Sequence, residues 1–339
     1  MSRAESLAVS PTTKMAAGIA LVLLPGLSGC TRLQVGLGLR ASLAKIPVTS
    51  MAASLPKDPG VAPGEKSPLV VTFTASDGKV WITDGKGKGK ILWKDLAIAA
   101  TVVSINKKGI VSLPRDPRIS DRKMGHLAIT IPSHPGISAE LDVAVRYDYP
   151  FVSNFSGSTG SSGFNGSDGT DGASGSMGSI DPDHPSAGGN GTNGSNGSDG
   201  QDGGSGGDGP PVQVRVTLRP GSHPLLQIGV LSPGHKERFY LVDPQGGSLS
   251  VRSDGGSGGS GGKGGRGGRG GAGGVGSPSG NNGSDGANGR DGNNGSQGRA
   301  GSISVTYDPQ AKPFLAAIHL PNQGGPSPAF TEQPVAPLW

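Results

Sequence analysis

The sequence predicts an all-β protein in which a β-sandwich frame carries two long Gly-X-Y inserts. Three observations predict it. Short runs of alternating apolar residues recur between turn residues, as in Val212, Val214 and Val216, the period-2 pattern of strands with one buried face. No stretch of useful length carries the 3.6-residue apolar period of a helix. Glycine supplies 63 of 339 residues and is concentrated in two blocks, 157–209 and 255–301, against an average usage of about 7%. Such blocks bury little apolar surface, so a hydrophobic core can form only outside them.

The N-terminus reads as an export signal over residues 1–29. Arg3 and Lys14 precede the apolar run "MAAGIALVLLPGL", which is too short to span a bilayer. The run ends in "LSGC", and Cys30 is the only cysteine in the chain, so no internal disulfide can form. The four residues resemble the lipobox of bacterial lipoproteins. That resemblance implies cleavage between Gly29 and Cys30, acylation of Cys30 on thiol and amine, and a membrane partner reached through the lipid. The following residue is Thr31, not the aspartate of inner-membrane retention, which implies the outer membrane. A plain secretory signal with an incidental cysteine is the alternative. Removing Arg3, Lys14 and Glu5 leaves 28 basic and 24 acidic residues, net +4, a balance too mild to indicate a nucleic-acid partner.

Residues 30–66 read as a tether with a first strand. The expected strands then lie near 68–75, 79–83, 90–93, 96–104, 109–113, 126–131 and 138–148. After the first block they fall near 211–218, 224–231, 237–242 and 248–253, and after the second near 302–308 and 314–320. The pattern divides into a first β domain over 67–135 and a second assembled from 136–156, 210–254 and 302–322. A tail over 323–339 closes the chain. The first half resembles bacterial immunoglobulin-like domains in strand pattern alone, without a diagnostic motif.

Within the blocks glycine keeps a strict third-residue register over four runs of equal length. Leg one runs from Gly157 to Gly178, leg two from Gly188 to Gly209, leg three from Gly255 to Gly276 and leg four from Gly280 to Gly301, each with eight register glycines. Proline-bearing breaks, "SIDPDHPSA" and "SPS", separate the members of each pair. Equal lengths point to a folded object. An extended helix with three residues per turn turns every third Cα the same way and forms no internal hydrogen bonds. A glycine stripe lets another backbone approach and supply the missing partners. The expectation is an antiparallel four-leg polyproline/polyglycine-II bundle, with legs of roughly 65–70 Å at about 3.1 Å rise per residue. The spacing resembles that of snow flea antifreeze proteins and of glycine-rich adhesins at phage tail-fibre tips.

Leg three reads "GGS GGS GGK GGR GGR GGA GGV". Two of its three faces are glycine, which places it inside. Its third face carries Lys263, Arg266 and Arg269, 8, 11 and 14 residues from the base. Asp168 and Asp171 lie 11 and 14 residues out on leg one, and Asp199 and Asp202 lie 10 and 7 from the base of leg two. Charge pairs between legs are expected from these heights, with Met177 and Val275 forming an apolar cap under the turns. A flexible linker, a collagen strand and a calcium-binding nonapeptide repeat compete with this reading. Collagen wants parallel chains and abundant proline, no leg contains a proline, and the bulky apolar offset of the nonapeptide is missing. The linker stays open.

Little in the chain suggests chemistry. The six histidines show no paired-ligand spacing, so no metal or cofactor is expected. "DGKGKGK" lacks the phosphate-loop pattern and reads as a lysine-rich hairpin turn. "GGRGGRGG" mimics RNA-binding segments but falls on the outer face of leg three. One local cluster, Asp181, Asp183 and His184, would sit at the distal tip, where a ligand could be met although turn chemistry alone accounts for it. The composite expectation is a non-enzymatic, lipid-anchored envelope protein that displays a rigid glycine-rich rod for adhesion or surface architecture, contacting a protein or glycan. Alternatives are an ice-binding surface, which the charged faces of legs two to four disfavour, or a low-complexity spacer on a β binding module.

Overall fold

A computed structural model describes residues 39–322 and 324–339 of the chain. Gly29, Cys30 and the rest of the expected export signal lie outside the described residues. Strand accounts for 32% and helix for 7%, and every described helix is a 3₁₀ piece, so the chain is all-β.

The first unit folds around Leu43, Val61, Leu69, Val71, Phe73, Ile91, Val111, Leu127, Ile129 and Val143. Strand Val70–Ala75 buries alternate residues, and each fully buried side chain of this size contributes about 1.5–3 kcal/mol. It pairs antiparallel with Val48–Ser54 and Val80–Ile82. A second sheet runs in the order Gly60–Val61, Ser138–Val145, Gly125–Thr130, Ala97–Thr101. Two expected boundaries therefore move. Residues 138–145 pair with 125–130, Leu141 opposite Leu127, and belong to the first unit, not the second. The expected tether is part of the core from Leu43 onward. Its short apolar pieces, punctuated by Pro47 and Pro56, hide a folded segment.

The second unit joins two sheets over one core. Phe151, Phe155, Leu249, Val251 and Ile318 come from one sheet, and Val212, Val214, Val216, Leu226, Ile228 and Val305 from the other. The first sheet has the order Pro150–Ser156, Ser248–Asp254, Ile318–His319. The second has the order Arg238–Val242, Leu225–Leu231, Val212–Arg219, Ile303–Tyr307, Ala329–Glu332. The tail is thus a sheet member, and Leu338 and Trp339 fold back over buried Gln227.

Three expected strands differ. Residues 309–317 form a 3₁₀ helix, because Asp308 caps the Gln310 N–H and Pro309 follows at the first position. Only Ile318–His319 remain as strand. Near 90–93, Ile91 makes isolated bridges and Trp93–Asp95 is a 3₁₀ turn. Within 96–104 the left-handed Val102, φ 65°, splits the run into Ala97–Thr101 and Ser104–Ile105.

Four strands of the second unit position the glycine legs. Pro150–Ser156 leads into leg one and Ser248–Asp254 into leg three, and these two strands are parallel neighbours, Phe151 opposite Leu249. Legs two and four deliver the chain to Val212–Arg219 and Ile303–Tyr307, again parallel neighbours, Val214 opposite Val305. Parallel neighbours cannot be joined by a tight hairpin and need a long crossover. Here the out-and-back glycine blocks lie on those connections.

Candidate functional site

The legs form neither strand nor helix, yet their backbones lie side by side. Register glycines of leg one donate to leg three, from Gly160 to Ser257 O through Gly178 to Val275 O, and Gly157 donates to Asp254 O at its base. Those of leg two donate to leg four, as Gly200 does to Arg290 O. Legs two, three and four donate antiparallel to legs one, two and three respectively, as in Ser198 to Ser167 O, Gly265 to Ser198 O and Gly289 to Gly265 O. All of these bonds measure 2.7 to 2.9 Å, within the ordinary N–H···O range.

Leg three is surrounded. At one height, the N–H of Gly264 donates to Asp291 Oδ1 of leg four at 2.8 Å. The next N–H, of Gly265, donates to Ser198 O of leg two at 2.9 Å. The third, of Arg266, donates to Asp168 Oδ1 of leg one at 2.8 Å. Three consecutive donors thus reach three different legs. The central glycine of each leg-three triplet, Gly256 through Gly274, is buried. A Cβ on Gly265 would lie 1.9 Å from Ser167 O, which no side chain can tolerate. The end glycines named from sequence, Gly157, Gly178, Gly188, Gly209, Gly255, Gly276, Gly280 and Gly301, all meet foreign backbone or Ser253 Oγ within 2.7 Å of such a Cβ.

The aspartates work differently from the expectation. Asp168 and Asp171 stand at the heights of Arg266 and Arg269, but their Oδ1 atoms accept from the backbone N–H groups of those residues, at 2.8 Å each. Asp199 and Asp202 accept from Arg290 and Asn293 N–H on leg four, at 2.7 and 2.6 Å, and do not face leg three. Among the described residues no ion pair within 4.0 Å involves Lys263, Arg266, Arg269 or these four carboxylates. The physical reason is that an extended three-fold chain leaves N–H groups without internal partners, and a short carboxylate or carboxamide reaches them directly. Asparagines play the same part: Asn165 accepts from Lys263 N–H, and Asn190, Asn193 and Asn196 accept from leg four.

These bonds sort the outward side chains into faces. Between legs one and three, Lys263, Arg266 and Arg269 alternate with Asn165, Asp168 and Asp171. Between legs one and two the face is uncharged, with Ser167, Thr170, Ala173, Thr192, Ser195 and Ser198. There the hydroxyls of Ser198, Ser195 and Thr192 accept from Ser167, Thr170 and Ala173 N–H at 2.7 Å each.

At the tip, Asp181 turns its carboxylate onto the Asp183 N–H at 3.0 Å, and its carbonyl accepts from His184 N–H. Among the described residues no group of three or more His, Cys, Asp or Glu could hold a metal ion. The expected apolar cap does not form: Met177 is 85% and Val275 55% exposed, and Ile180 beside them is 71% exposed. In the frame, His126 pairs with Asp142 and His223 with Asp243, each at 2.8 Å. No family model matches the chain, and neither a curated protein nor a solved structure is significantly similar to it.

Proposed function

We propose that the chain is a lipid-anchored protein of the bacterial outer membrane, acting without catalysis in adhesion or surface architecture. In this reading a β-sandwich base holds a stiff bundle of polyglycine-II-type legs, and a protein or glycan is met along the leg faces or at the tip loops. The observation that carries it is the set of three consecutive N–H groups, Gly264 to Arg266, each bonded to a different leg. A flexible spacer would leave those donors to water, whereas donors spent on neighbouring chain give a projection that resists bending. Charged and hydroxyl side chains then stand at fixed heights, an arrangement suited to repeated weak contacts.

Two measurements test it. Hydrogen exchange on the whole chain should find the leg amides protected to the same degree as those of strand Leu225–Leu231. Exchange at the rate of an open chain would return the blocks to a spacer role. Radiolabelled palmitate should enter the protein expressed in a bacterial host and be lost in Cys30→Ala.

A second reading, ice binding, draws on the uncharged face of legs one and two. Its regularly repeated Ser, Thr and Ala side chains escape the objection raised by the charged faces elsewhere. Thermal hysteresis of the purified protein, abolished by Thr170→Lys, would favour it over adhesion.

A further inference from the structure

A cleft of about 470 Å³ opens where the two β units meet, walled by Gly64 and Arg115 of the first and by Tyr149, Val152, Lys236 and Tyr240 of the second. Its volume is within the range of small-ligand sites, roughly 300–1,000 Å³. The floor is aromatic. The Tyr149 ring meets Phe151 edge-on at 5.3 Å, and Phe151 meets Tyr240 at 6.0 Å. Among the described residues the Tyr149 hydroxyl makes no hydrogen bond.

The rim is charged with a basic excess, Arg115, Lys236 and Arg238 against Asp116 and Glu237. Arg115 and Lys236 are exposed and form no ion pair among the described residues, although an acid follows each in sequence. Those acids line the same cleft, but each already holds an arginine. Asp116 takes three side-chain hydrogen bonds from Arg118 at 2.7 to 3.2 Å, and Glu237 pairs with Arg215 at 2.6 Å. Arg115 and Lys236 therefore stand one on each wall outside any ion pair, with Lys236 near enough to Asp116 to add to the Arg118 contacts that lower its carboxyl.

The cleft borders Pro150–Ser156, the edge strand of its sheet, where a peptide could add as a further strand. That edge is covered. Tyr240 Oη donates to Val152 O at 3.5 Å, and Arg238 donates to Ser153 Oγ and Asn154 O at 3.3 and 3.1 Å. What remains for a ligand is an aromatic floor, a free phenol and two separated cations. We infer that this cleft binds an acidic saccharide chain, with apolar C–H faces of the sugars on Tyr149 and Tyr240 and carboxylates on Arg115 and Lys236. The inference concerns the β frame and stands whether or not the legs form a rigid bundle.

The test is an array of uronic-acid and sialic-acid oligosaccharides, each beside its carboxyl-reduced counterpart and with hexaglutamate as peptide control, followed by calorimetry on trigalacturonate. Acidic glycans should be retained and reduced ones not. The double variant Arg115→Gln/Lys236→Gln, at exposed positions, should weaken binding by at least about tenfold with an unchanged melting curve, since a single charge-assisted hydrogen bond to a carboxylate accounts for a factor of that order. Tyr149→Ala should weaken trigalacturonate binding as well. Retention of no acidic glycan, equal retention of the reduced forms, equal binding of hexaglutamate, or indifference to the double variant would each overturn the assignment.

Discussion

Asp168 and Arg266, 98 residues apart, are joined by a hydrogen bond from the arginine backbone N–H to the aspartate Oδ1, at 2.8 Å. The same offset pairs Phe151 with Leu249 in the sheet below. The sheet register therefore runs on unbroken into the legs, and the carboxylate acts as an acceptor for a chain that lacks internal bonds. Replacing Asp168 by Asn, which keeps the acceptor, should leave the melting temperature nearly unchanged, while Asp168→Ala should cost about 1 kcal/mol. Equal losses from both variants would mean that the charge matters and the acceptor does not.

Gly265 is held tightest. Because a Cβ there would overlap Ser167 O at 1.9 Å, Gly265→Ala must push legs one and three apart, at or above the upper end of the roughly 1–3 kcal/mol usual for overpacking. Arg266→Ala, one residue on but pointing outward, should change stability by less than about 0.5 kcal/mol. Hydrogen exchange of the leg amides reads the difference directly.

In the first unit Glu65, 4% exposed, accepts from the Ala62 N–H, from Lys57 Nζ and, on both Oε atoms, from Arg146 Nη2. Burial pushes its carboxyl up, but the Ala62, Lys57 and Arg146 contacts prevail and hold it below the ordinary value of 4.5. A carboxyl depressed on folding contributes stability that is complete above its unfolded pKa and disappears as pH falls through the folded one. The melting temperature should therefore drop below about pH 4.5, and Glu65→Gln should flatten that part of the profile while costing about 1.5–3 kcal/mol at pH 7. An unaltered acid limb in the variant would remove Glu65 as its source.

The strand frame and the leg boundaries are legible in the chain because both rest on local repetition: alternation for the sheets, and a hydrogen at every third Cα for the legs. What stays hidden depends on distant partners. Asp168 and Asp199 read as charges until the adjacent backbone is known, and only the sheet pairing says that leg two faces leg four through Asp199. Residues 138–145 read as part of the second unit because an alternating strand does not declare its neighbour. The cleft escapes sequence reasoning entirely, because Arg115, Tyr149 and Lys236 come together only when the two units meet.

The C-terminal segment ties those units together. Trp339 Nε1 donates to Asp121 Oδ2 of the first unit at 3.1 Å, and its ring meets Phe239 of the second edge-on at 5.9 Å. Trp339→Ala should destabilise the protein by about 2–4 kcal/mol, the sum of a charge-assisted hydrogen bond and an aromatic pair. If the units unfold independently, calorimetry would show two transitions in the variant where the parent has one, whereas an unshifted single transition would show the tail contact to be energetically idle.

Finally, the common height of Ser167, Ser198, Gly265 and Gly289, linked in turn by backbone bonds, makes the legs modular. Removing residues 166–168, 197–199, 264–266 and 288–290 together takes one triplet from each leg at one level and leaves every glycine stripe in phase. At roughly 3.1 Å per residue the projection should shorten by about 9 Å, visible in the maximum dimension from small-angle X-ray scattering, with the amides above and below still protected from exchange. Removing 166–168 alone keeps the glycine period of leg one but slips its outer half by one triplet, so that Asp171 faces Arg266 and the tip loops no longer meet. That variant should lose protection outward of the deletion while the β frame stays folded. Equal behaviour of the single and fourfold deletions would mean that the legs do not read one another's register.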